Sequence, residues 1–102
     1  MKSSAKDAES AQPRVRQPHR EALLKRLNRI SGQVRGVAAM IEDERYCVDV
    51  LTQIAAIRSA LDAVAMQLLE DHAHGCVRAA VREGRGDEAV DEFMSVVKRL
   101  SR

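Results

Sequence analysis

The chain has 102 residues and a formal charge of +2, from 17 Lys and Arg against 15 Asp and Glu. That length makes one domain, near the lower end at which a lone monomer buries a stable core, so oligomerisation would help it. Its aromatics are Tyr46 and Phe93 alone, which argues against modules that bind single-stranded nucleic acid by stacking bases on rings. With no run of 18 apolar residues and no leader pattern in its polar, basic start, the expectation is a cytoplasmic protein, no membrane association and reduced thiols.

Residues 1–18, with Lys2, Ser3, Ser4, Lys6, Pro13 and Pro18, hold almost no large apolar side chain and read as a disordered basic arm. Residues 19–102 read as the helical domain. Over residues 19–42, Leu23, Leu27, Ile30, Val34, Val37 and Ile41 recur at alternating spacings of four and three, the pattern of an amphipathic helix. The same stretch is basic: residues 14–35 hold Arg14, Arg16, Arg20, Lys25, Arg26, Arg29 and Arg35 against Glu21 alone. A charge run of this kind is either a solvated face or a surface for a polyanion.

The cluster Glu42-Asp43-Glu44-Arg45 interrupts the pattern, and a second seam follows in Val50, Ile54, Ile57, Leu61, Val64 and Leu68. It predicts one long helix over about residues 45–83, whose Ala55, Ala56, Ala60, Ala63 and Ala65 permit close helix approach. Gly84 and Gly86 are expected to stop it, and Asp87 to cap a third helix with Val90, Phe93, Val97 and Leu100 inside. No strand pattern appears. The expected fold is all-α, a three-helix protomer with one long central helix, paired in an antiparallel helical-bundle dimer.

Cys47, His72 and Cys76 stand on that central helix. At ~100° and ~1.5 Å per residue, His72 and Cys76 each return to within roughly 20° of the Cys47 direction, yet lie roughly 40 Å from it along the axis. Metal–ligand bonds are about 2.0–2.3 Å, so one helix cannot close the set around an ion. An antiparallel second copy can, by bringing its Cys47 beside His72 and Cys76 about a two-fold axis near Leu61. Two thiolates and an imidazole suit soft ions, Cu(I) in particular, and His72 and Cys76 at i and i+4 converge on one side of a turn. The set lacks the C-x-x-C framework of structural zinc. The competing reading makes both cysteines small buried hydrophobes. His74, roughly 200° from His72, reads as a solvated residue and His19 as lying outside the set. No catalytic constellation is present, so no enzyme is expected.

The strings RLNRISGQVRG (26–36), RYCVDVLTQIAAIRSAL (45–61) and LLEDHAHGCV (68–77) resemble the copper-sensitive operon repressor family, CsoR, over roughly residues 20–100. The resemblance implies a disc-like helical tetramer, a dimer of dimers, that binds operator DNA without a helix-turn-helix and releases it when its effector binds. It implies a Cu(I) site of Cys47 from one protomer with His72 and Cys76 from the other. Tyr46 and Glu92 correspond to family residues that support those ligands, and Glu92 is expected to hydrogen-bond the free ring nitrogen of His72 and so tie the third helix to the metal. With the resemblance, Lys25, Arg26, Arg29 and Arg35 become the expected phosphate contacts, with Arg14 and Arg16 as weaker candidates. The expected function is a Cu(I)-responsive repressor. Same-fold alternatives are a nickel or cobalt sensor, against which Cys76 and the position of His19 weigh, and a thiol sensor of persulfide or electrophiles, against which His72 weighs. A copper-buffering protein without a DNA role is the alternative of a different class.

Overall fold

The computed structural model describes residues 14–101; the reading of residues 1–13 as a disordered arm lies outside them. Helix α1 spans Arg20–Glu42 and α2 spans Cys47–His72; a π-helical turn over Ala73–Val77 leads into α3, Arg78–Arg82, and α4 spans Gly86–Leu100. The described residues form helices joined by turns and short irregular connections, with no strand among them, as expected from the absence of alternating patterns. None of their helices is long and apolar enough to cross a membrane.

The two long helices form a hairpin. A four-residue connection makes neighbouring helices antiparallel, and here it runs through residues 43–46. The Arg45 N–H reaches back to the Met40 carbonyl at 2.9 Å, and Glu44 takes the left-handed conformation at φ 57°. Leu23 and Ile30 of α1 meet Ile57 and Val64 of α2 in the core, with Val37 and Ala60 packed against them. Leu23, Ile30 and Val37 on α1 and Val50, Ile57 and Val64 on α2 each form a stripe at a spacing of seven, with Ala60 beside the α2 stripe. The other half of each seam, Leu27, Val34 and Ile41 on α1 and Ile54, Leu61 and Leu68 on α2, stays exposed in the single chain.

Beyond His72 the backbone stays right-handed, with φ and ψ of −64° and −43° at His72 and −68° and −44° at Val77. The long central helix therefore continues, but through an underwound turn with i→i+5 bonding. Helix α3 ends at Gly84, whose φ of +81° needs a residue without a Cβ. Gly86 is not part of that stop. It is the first residue of α4, with Arg85 at the cap position that Asp87 was expected to hold. The reason is space: a Cβ on Gly86 would lie 3.0 Å from Val81 Cγ2 and 3.3 Å from Val81 Cα, so only glycine lets α4 start this close to α3. Asp87 and Glu88 then fall in the first turn and Lys98 and Arg99 in the last, both matched to the helix dipole. Helix α4 packs against α3 and the π turn.

Candidate metal centre

Cys47 is the first residue of α2 and His72 the last. A helix of 26 residues separates them by about 37 Å at its ordinary rise. Cys76 sits inside the π turn, and both thiols are free, Cys47 exposed and Cys76 half-buried. Among the described residues no group of three or more His, Cys, Asp or Glu comes together closely enough to hold a metal. One chain thus carries two candidate donors, half a site at most, at one end of α2 and a solitary thiol at the other.

The π turn alters the geometry of the half-site. Turns of this type occur mostly as single insertions in α-helices, often at functional positions, and Gly75, a weak helix former, lies within this one. Because it underwinds the helix, the direction of Cys76 is set by the turn and not by a uniform 100° step from Cys47. The imidazole of His72 stacks on Phe93 of α4, with ring centroids 6.1 Å apart and an interplanar angle of 10°, a usual separation for paired rings. Glu92 is exposed, and among the described residues it makes no hydrogen bond to His72; its neighbour Phe93 is the α4 side chain in contact with the ring. One residue is roughly 100° of helix, and the apolar pattern of α4 already marked Phe93 as inward. Tyr46 holds the cap position before Cys47 and is 69% exposed.

On the α1 side, His19 Nδ1 lies 3.0 and 3.1 Å from the two carboxylate oxygens of Asp71, whose side chain is 7% exposed. Gln67 Nε2 donates to Asp71 Oδ1 at 3.1 Å. The hydrogen bond from His19 holds the Asp71 carboxyl below its ordinary value against the opposing effect of burial, and Gln67 adds to it. Asp71 and Gln67 had no sequence signal of their own beyond sharing a face at i and i+4. Residues 14–18 run alongside, and a cleft of about 630 Å³ is lined by Arg14, Arg16, Asp71, His72, His74 and Cys76. His74 is exposed, as its angular position implied, yet it borders this cleft.

Lys25, Arg26, Arg29 and Arg35 are all exposed on α1. None of the four pairs with a carboxylate among the described residues, and Arg35 Nη1 donates to Ser31 Oγ at 3.1 Å. The donor set, two free thiols and an imidazole, fits a soft monovalent ion better than a hard one. The exposed cations fit phosphate.

Residues 19–99 match the model of the metal-sensitive transcriptional repressor family. The copper-sensing transcriptional repressor CsoR of Bacillus subtilis (strain 168) is 47% identical over 83 residues, 81% of this chain and 82% of that protein. A crystal structure of the copper-sensing repressor CsoR with Cu(I) from Geobacillus thermodenitrificans NG80-2 superposes with a TM-score of 0.79 at 52% identity, covering 89% of this chain and 94% of that one. The nickel-responsive transcriptional regulator InrS is also similar, with a TM-score of 0.70 at 38% identity over 84% of this chain and 97% of that one.

Proposed function

The chain belongs to the metal-sensitive transcriptional repressor family, and on that premise we propose that it is a Cu(I)-responsive repressor whose apo form holds operator DNA and whose Cu(I) form releases it. The observation that carries this reading is the placement of its proposed ligands: Cys47 opens α2 while His72 closes it, and among the described residues no three donors meet in one chain. In the proposed assembly Cys47 of one protomer joins His72 and Cys76 of its partner. The exposed half of the apolar seam, Leu27, Val34, Ile41, Ile54, Leu61 and Leu68, supplies a surface for that pairing, and a second pairing makes the tetramer. The resemblance to copper-sensing relatives supports Cu(I) over Ni(II), since the nickel-responsive relative is similar at lower identity.

Both cysteines bind as thiolates, so each must give up its proton when the metal enters. Cys47 is exposed, while Cys76 within the π turn and His72 just before it are half-buried. The ion contributes no reaction, only a preference for one conformation. DNA release then follows from linkage: a coupling of ~1–3 kcal/mol weakens operator binding roughly 5–150-fold. Lys25, Arg26, Arg29 and Arg35 are the proposed phosphate contacts. Tyr46 and Glu92 are proposed to flank the assembled site; Glu92 reaches the free ring nitrogen of His72 only if α4 turns it inward.

The shared site is tested by mixing Cys47→Ala protein with a His72→Ala/Cys76→Ala double variant. After subunit exchange the heterodimers are expected to regain one tight Cu(I) site that neither parent has; no regained site would sink the intersubunit reading. A gel-shift titration of the apo protein with Cu(I), Ni(II), Zn(II) and a persulfide donor separates the alternatives. Release by Ni(II) or persulfide but not Cu(I) would transfer the role to a nickel or thiol sensor. Failure of the apo protein to shift its own promoter would leave metal buffering.

A further inference from the structure

Among the described residues, the only ion pair between segments distant in sequence joins His19 to Asp71, 52 positions apart. His19 is the cap residue at the start of α1, and Asp71 stands in the last turn of α2, next to His72. The Asp71 carboxylate is a fixed point. Its side chain is nearly buried, and Gln67, one turn earlier on the same helix, holds Oδ1 at 3.1 Å while His19 meets both oxygens. The segment just before His19 borders the same cleft as Asp71, His72 and Cys76.

We propose that the His19–Asp71 pair is the link through which occupancy of His72 and Cys76 reaches the DNA-contacting helix. The inference rests on the Cu(I)-repressor reading. Its two members are positioning residues that touch neither metal nor DNA. His72 adjoins the underwound turn and Cys76 lies in it, so drawing both onto one ion requires that turn to adjust. Asp71, one residue from His72, moves with it. Because its carboxylate is held by hydrogen bonds from two helices, the displacement passes to the first turn of α1. Lys25, Arg26 and Arg29 follow on that helix within about 15 Å at its ordinary rise, and a rigid helix carries a shift of its end to all three. The other contact of the half-site, His72 with Phe93, leads to α4, which carries none of the proposed phosphate contacts. Coupling through packed elements needs a chain of contacts joining the two sites, and the pair supplies its missing step.

The test uses full-length His19→Ala, Asp71→Ala and the double variant, with His19→Gln as the conservative replacement that keeps a hydrogen-bond donor. The readout is the ratio of operator Kd with and without Cu(I), alongside apo operator affinity, Cu(I) affinity and the imidazole NMR signals of His19. Each single variant is expected to lower the ratio about fivefold or more while both affinities stay within about threefold of the parent. The double variant is expected to lose no more than either single one, because the two residues form one link. His19→Gln should recover part of the ratio, and the His19 ring signals should move in apo Asp71→Ala. If Asp71→Ala fails to fold, the half-exposed His19→Ala still decides the matter. An unchanged ratio in His19→Ala, losses that add in the double variant, or a lower ratio due wholly to weaker apo binding would overturn the link. A parent protein whose operator affinity ignores Cu(I) would overturn the copper reading, and the link with it, so the two failures are distinguishable.

Discussion

The α1–α2 hairpin and the C-terminal portion beyond His72 are built on different terms. In the hairpin, Leu23, Ile30, Val50, Ile57 and Val64 are buried at heptad spacing, so each helix is held by side chains that also hold the other. Beyond His72 only Ala80 is buried among the described residues, and α4 has no buried residue at all. The same chain thus joins a well-packed rod to an end that rests on a π turn, one ring stack and a close glycine contact. Regions with few buried apolar contacts open at lower free energy than the core. The proposed ligands His72 and Cys76 lie at the start of that weaker end, where a modest interaction energy is enough to move structure, and Cys47 lies on the rod.

The largest test of the contrast is in the rod. Ile57→Ala is expected to cost about 2–4 kcal/mol in urea unfolding of the apo protein, against less than about 1 kcal/mol for Leu100→Ala on exposed α4. Equal losses would mean that the C-terminal portion shares the core. Next comes the glycine contact. Gly86→Ala should cost about 1–3 kcal/mol, because its Cβ meets Val81 at 3.0 Å and α4 must shift. Gly75→Ala finds nothing within 4 Å, so it should leave stability level or slightly raised, as Ala favours helix over Gly. Thermal melts of the two variants side by side check the sign. The smallest effect on the fold is expected on the basic face. Arg26→Ala should leave the melting temperature within a degree or two while weakening operator binding and lowering its salt slope by about one. An unaltered slope would remove Arg26 from the phosphate contacts.

Much of this was legible in the sequence because it depends on local repetition. The spacing of Leu23, Ile30 and Val37 declares a helix and its inner face whatever the chain later packs against. The break at residues 42–45 and the stop at Gly84 follow from charge clustering and from φ. The separation of Cys47 from His72 is a property of helical rise alone, so it was visible before any fold was known that one chain cannot bring the two together. What the repetition left open is which partner covers each face. Leu27 and Leu61 carry the same periodic signal as Ile30 and Ile57, yet only the latter pair is buried within one chain.

The remaining features are decisions of tertiary structure. The start of α4 at Gly86 instead of after Asp87 depends on the room beside Val81, and the contact of His72 with Phe93 depends on how α4 lies across the π turn. The His19–Asp71 pair exists only because the hairpin returns the end of α2 to the beginning of α1. Helical periodicity is set by interactions within four residues along the chain, so composition and spacing determined the all-α protomer and the wide separation of Cys47 from His72 and Cys76 along it. A hydrogen bond between residues 52 positions apart and the register of an underwound turn answer to packing that no local pattern encodes.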